Sequence, residues 1–209
     1  MSDMDNNNIK INELVESLCQ LKTNTPRKIP PLHKWQATKI TPFDVCIKDN
    51  GQWWHNGTKM TRQSLVDLFA SVLWGEYDAQ GNKHYYLKTP SDKYQITVED
   101  APLFICDVDE VVVDGVAHLQ FTTTNQDTLR LSDESPLYFG LYNKDGAVQE
   151  RLYMDTRFCL TACVLPNVVY RLAELGTLAL VGDKVVLSLQ SGGNTYRLVS
   201  ALNMDGLML

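Results

Sequence analysis

Two arginines stand out by their placement. Arg62 follows Thr61 and Arg157 follows Thr156, and each pair precedes an apolar stretch whose spacing predicts a helix. A cation in the opening turn of a helix is opposed by the macrodipole and by unpaired N–H groups, at a cost of about 0.3–1 kcal/mol. Each arginine therefore calls for an anion, either a carboxylate from a neighbouring strand or an oxyanion on a ligand. Phosphate is the ligand that fits, because helix N–H groups and a guanidinium fork satisfy the same oxygens. Lys93, just past Thr89-Pro90, is the third cation expected near such a ligand. Trp53 and Trp54 are consecutive in a predicted strand, so the pleat turns one inward and leaves the other to stack on a base or fill a junction.

Other candidate chemistry is weaker. Glu99 and Asp100 are adjacent in a strand and point to opposite faces, which rules out a facing acid–base pair. Asp107 and Asp109 share a face and offer oxygen ligands for Mg²⁺ or Ca²⁺, but without the spacing of a calcium loop they read as a solvated or salt-bridged strand face. The histidines, His33, His55, His84 and His118, are scattered, and no Cys-x-x-Cys, Walker loop, dinucleotide fingerprint or Gly-x-Ser-x-Gly elbow is present. The expectation is therefore no catalytic residue, no metal and no cofactor. Cys159 and Cys163 are expected on one helix face as buried thiols. Ser191-Gly192-Gly193 is expected as a flexible turn whose bare backbone admits a close approach.

The elements that must position these residues fall into two similar sets. Lys48-Asp49-Asn50-Gly51 and Lys144-Asp145-Gly146 are both hairpin turns, each followed at the same spacing by Thr-Arg, a helical face and a returning strand. Leu65, Leu68, Phe69 and Leu73 match Leu160, Cys163, Val164 and Val168, and the segment from Thr89 to Ile96 matches that from Ser191 to Leu198. This predicts an α+β protein of two related half-domains, each an antiparallel sheet plus a helix. The expected division is 1–34 for an N-terminal helix (Ile9–Lys22) and a Pro-rich connector pinned by Trp35, 35–102 for the first repeat and 103–209 for the second. Asn50-Gly51 is expected as a type I′ turn. The first helix runs from Arg62, capped by Thr61, to about Trp74, and the strands His84–Lys88 and Lys93–Val98 follow. The second helix runs from Arg157 to Leu175 and is kinked at Pro166. A pseudo-twofold between the halves would set Arg62 and Arg157 about a shared ligand cleft.

A length of 209 residues with 44% hydrophobic content supports a packed core, and a net charge of −6 argues against duplex nucleic acid as a partner. No apolar run is long enough to span a bilayer, and five cysteines without regular spacing suit reduced thiols. The expected location is the cytoplasm.

Trp35, Asn50-Gly51-Gln52-Trp53, Gly57, Thr61-Arg62, Leu68-Phe69, Leu87-Lys88-Thr89-Pro90, Lys93, Val98-Glu99-Asp100-Ala101-Pro102, Arg157, Leu160, Ala162, Tyr170 and Ser191-Gly192-Gly193 together resemble the bacterial family known as domain of unknown function 1285. The resemblance implies a duplicated α+β core and a second domain superficially like the pleckstrin-homology fold. It also implies a nucleotide-like ligand bound between the domains in signalling, which brings Thr89, Glu99 and Tyr170 into the ligand-binding set with Arg62, Lys93, Arg157, Trp53 and Trp54. A protein partner is compatible with this reading. The competing expectations are a metal-dependent hydrolase built on Asp107 and Asp109 or Glu99 and Asp100, and a protein-interaction adaptor with an exposed apolar patch.

Overall fold

The computed structural model describes residue 15 and residues 29–200. The helix expected from Ile9 to Lys22 falls outside these residues except at Val15. In the connector a single 3₁₀ turn spans Leu32–Lys34, and Leu32 is fully buried while Trp35 is half-exposed. The smaller aliphatic side chain is therefore the anchor in place of the indole.

The chain divides into two units. The first ends at Pro102 and also takes Phe158–Leu160, and the second holds Leu103–Arg157 and the chain from Thr161 onward.

The first unit contains β1 (Lys39–Ile47), β2 (Trp53–His55), β3 (Thr58–Lys59), α1 (Gln63–Ser71), β4 (Leu73–Tyr77), β5 (Lys83–Lys88) and β6 (Asp92–Val98). They form one six-stranded sheet in the order β3-β2-β1-β6-β5-β4. Every neighbouring pair is antiparallel except the central β1–β6 pair, which is parallel. Period-2 alternation sends Phe43, Val45 and Ile47 to the face covered by α1, where Phe69 packs on Phe43 and Trp53 at ring separations of 6.4 and 6.3 Å. Asn56-Gly57 has positive φ at both residues, as a type I′ turn demands. Asn50-Gly51 does not, because only Gly51 (φ 82°) is left-handed. Asn50 instead accepts the Gln52 N–H, and a longer loop closes from Lys48 to Gln52.

The second unit contains β7 (Leu103–Val113), β8 (Val116–Thr123), β9 (Thr128–Arg130), β10 (Leu137–Lys144), β11 (Ala147–Asp155), β12 (Thr161–Val164), α2 (Pro166–Leu175), β13 (Thr177–Val181), β14 (Lys184–Ser191) and β15 (Asn194–Val199). Its first six strands form a sheet in the order β10-β11-β12-β7-β8-β9, again with a parallel central pair, β12–β7, between two antiparallel meanders. Read from the other edge, this is the order of the first unit, so the internal duplication is present as topology. The expected register of the repeat is not. Thr61-Arg62 follows the third strand of its sheet, whereas Thr156-Arg157 lies between the fifth and sixth strands of its own. Meanders repeat the same turn and alternation signals at every hairpin, so a sequence match slips easily by whole strands.

The long helix expected from Arg157 is also corrected. Arg157–Cys159 is a 3₁₀ turn, Thr161–Val164 is a strand, and the helix begins only with Pro166 at its first position. A short apolar run is ambiguous between strand and helix, and parallel pairing of Ala162, Cys163 and Val164 with Leu103, Phe104 and Ile105 decides it. Cys163 is consequently buried on β12 and Cys159 exposed in the turn, on no common helix.

The Ser191-Gly192-Gly193 turn works in packing. Buried Ser191 accepts the Leu119 N–H at 3.1 Å and donates to the Leu131 carbonyl at 3.1 Å, which ties the β14–β15 hairpin to the sheet. Gly192 sits at φ 61°, and a Cβ there would lie 2.9 Å from the His118 ring. Gly192→Ala should therefore cost about 1–3 kcal/mol through left-handed strain and crowding. Chemical denaturation reads this directly, and an unchanged midpoint would refute the packing role.

Candidate functional site

The face of the first sheet opposite α1 is polar and aromatic. Strand register places Trp74 beside Tyr86, Tyr86 beside Gln95, Glu76 beside His84, and Lys88 directly opposite Lys93. Facing cations on neighbouring strands repel, so this pairing needs compensation. Lys93 has it: its ammonium lies 2.7 and 3.0 Å from the two oxygens of Glu76 and 5.1 Å from the Tyr86 ring centre. Glu76 also accepts the Trp74 indole N–H at 2.8 Å. Burial alone would raise the Glu76 carboxyl, but the hydrogen bonds from Lys93 and Trp74 outweigh it and hold the group below the ordinary glutamate value.

Lys88 is placed differently. The residue is 5% exposed, and its Nζ stands 3.7 Å from the centre of the Trp74 ring. Among the described residues it makes no side-chain hydrogen bond and no ion pair. Burial holds its ammonium below the ordinary lysine value; the charge of Glu76 opposes this shift and that of Lys93 adds to it. Phe158 lies against the same indole, with ring centres 5.0 Å apart. Phe158 and Cys159 are both left-handed at φ 56°, an arrangement that bulky side chains rarely hold without support. The support is a backbone cradle: a Cβ at Gly75 would sit 2.6 Å from the Cys159 carbonyl oxygen, so only glycine lets that turn approach β4. At the far end of the same face the His84 ring lies 2.9 Å from Asp78, whose carboxylate is held well below its usual range by His84 first and then by Asn82.

Of the residues singled out from sequence, Lys93 belongs to this cluster. Thr89 is beside it in the chain but is spent on the β5–β6 turn, where its buried hydroxyl accepts the Asp92 N–H at 3.0 Å and donates to the Asp92 carbonyl at 3.1 Å. Trp53 is core, and Trp54 points to the opposite face, beside Cys46, with an indole N–H that is buried and lacks an acceptor. Glu99 is 2.5 Å from Lys48 and accepts the Asp49 N–H, closing the β1–β2 loop. Arg62 is the N-cap of α1, so Thr61 is not. The Arg62 side chain is exposed and its Nε donates to Ser64 at 3.2 Å. In the second unit Arg157 pairs with Asp127 at 2.7 Å, and both side chains are about 15% exposed or less. Tyr170 is 75% exposed on α2. Asp107 and Asp109 are bridged by Arg171 at 3.0 and 2.7 Å, and among the described residues no cluster of His, Cys, Asp or Glu could hold a metal.

Trp74, Glu76 and Lys88 were not anticipated. The helix expected to run to about Trp74 takes in the first two residues of β4, although Leu73-Trp74-Gly75-Glu76-Tyr77 alternates as a half-buried strand should. No pattern marks a lysine as buried.

No helix among the described residues is long and apolar enough to cross a membrane. No curated protein matches the chain. It is similar to a DUF1285 family protein from Silicibacter pomeroyi DSS-3, at 28% identity and a TM-score of 0.71, over 94% of this chain and 98% of that one. A DUF1285 family protein from Shewanella baltica OS155 aligns at 22% identity and a TM-score of 0.46, over 63% of this chain and 91% of its own. Residues 30–101 match the family model described as the N-terminal domain of the domain of unknown function DUF1285, and residues 102–198 match its C-terminal counterpart. With both models matched in sequence order over the two duplicated sheets, the chain belongs to the DUF1285 family.

Proposed function

We propose that this chain is a non-catalytic binding module whose first unit holds a phosphate-bearing, nucleotide-like small molecule at Lys88 and Lys93, with Trp74 as the neighbouring aromatic surface. Lys88 carries the reading. Its stem is buried and its ammonium rests on the Trp74 ring without a hydrogen-bonded carboxylate. The cation–π contact contributes about 0.5–2 kcal/mol, and an anion would add the charge-assisted hydrogen bonds that a ring cannot make. Glu76 gives Lys88 charge but no hydrogen bond, since the three it accepts come from Lys93 and the Trp74 indole. Two cations against one carboxylate leave the cluster one positive charge in excess. Phosphate oxygens accept hydrogen bonds from an ammonium readily. We extend the proposal to a cytoplasmic signalling role in which occupancy, not turnover, is the output.

The test is thermal or urea unfolding of wild type and Lys88→Met with inorganic pyrophosphate and with adenosine monophosphate. A specific site filled at about 100 times its dissociation constant adds roughly 2.7 kcal/mol to the wild type, and nothing to the variant. Without ligand, Lys88→Met should be the more stable protein, because an apolar group of similar volume replaces a partly desolvated charge. Equal stabilisation of both proteins by the anions would sink the proposal.

The sign of the pH dependence follows from the lowered lysine value. Between the folded value and the higher unfolded one, the unfolded chain binds more protons, so stability rises with pH across that alkaline window. Lys88→Met should abolish this rise, and an anion should weaken it by restoring the charged form.

A further inference from the structure

We infer that Lys88 is also a covalent docking point, condensing with the carbonyl group of small anionic aldehydes or 2-oxo acids to form an imine. The inference rests on the binding reading above and narrows its ligand class. A lysine amine becomes nucleophilic when it is desolvated or set beside another cation. Lys88 meets both conditions: it is buried against Trp74, and the Lys93 ammonium faces it in register across β5 and β6. Lys93 donates to both oxygens of Glu76, so Lys88 is the lysine of the pair whose amine is left without a carboxylate in hydrogen-bond reach. The excess positive charge attracts a carboxylate or phosphate on the ligand and brings the carbonyl carbon to the amine.

In the reaction the Nζ lone pair adds to the carbonyl carbon and the C=O π electrons move to oxygen. The two protons of the neutral amine leave with that oxygen as water, and the C=N bond remains. No oxidant or reductant takes part.

The experiment incubates the folded full-length chain with pyruvate, or with acetone as the uncharged control, adds cyanoborohydride to reduce any imine, and maps the modified lysine by peptide mass spectrometry. The expected result is one dominant adduct, on Lys88, formed with pyruvate and not with acetone. It should be lost in Lys88→Arg, which keeps the cation but has no comparable nucleophilic amine, and reduced several-fold by prior addition of pyrophosphate. Labelling spread over exposed lysines, an adduct that persists in Lys88→Arg, or no adduct overturns the covalent step. Pyrophosphate stabilisation that depends on Lys88 but comes without an adduct would leave reversible anion binding standing and remove only this inference.

Discussion

Asp127→Ala is expected to cost about 3–5 kcal/mol, the range for stripping one partner from a largely buried ion pair. Asp127 and Arg157 meet at 2.7 Å with 14% and 15% of their side chains exposed. Removing the carboxylate leaves the guanidinium charge in a region that water reaches poorly. Asp127 is fixed in turn by its own N–H, which donates to the Thr123 hydroxyl at 3.0 Å, so the pair is rigid and cannot relax cheaply into solvent. Urea unfolding should show a lower midpoint at an unchanged slope. A loss under about 1 kcal/mol would class the pair with exposed surface bridges and reopen a ligand-binding role for Arg157.

The second large effect is at Phe69, which is fully buried between α1 and the sheet. Phe69→Ala should destabilise the protein by about 3–5 kcal/mol, from lost transfer energy and from the cavity left between Phe43 and Trp53. Trp53 packs directly on Phe69, so its fluorescence should shift to the red as water enters. Pyrophosphate stabilisation per ligand bound should be unchanged in the residual folded protein, because Trp53 faces α1 and the Lys88 cluster lies on the opposite face of the sheet. Loss of ligand response out of proportion to stability would return Trp53 to the binding surface.

How far the molecule was legible varies from element to element. Asn56-Gly57, Asp114-Gly115 and Asp145-Gly146 all sit at positive φ, because short-range sterics leave such pairs little choice in a tight turn. The Trp53-Trp54 dipeptide splits across the sheet for the same local reason: successive strand residues point to opposite faces. By contrast, Leu73-Trp74 at the start of β4 and all of Thr161–Val164 are expected as helix. Pairing decides both: with the neighbouring hairpin strand β5 for the first, and with β11 and the sequence-distant β7 for the second.

The candidate site divides along the same line. Lys93 is legible by its position after a turn. Lys88 is five residues earlier, at the end of an expected strand, and residue type gives no sign of its burial, because lysines are ordinarily exposed.

Local sterics, periodicity and residue type are enough to set the α+β class, the doubling and most of the hairpins. Only the fold settles which carboxylate answers which cation. It gave Asp127 to Arg157, Glu76 to Lys93, and Asp107 with Asp109 to Arg171, and left Lys88 against an indole. Those pairings depend on strand register and burial across tens of residues, and a charge has no preferred partner until the fold has fixed its neighbours and removed the water around it.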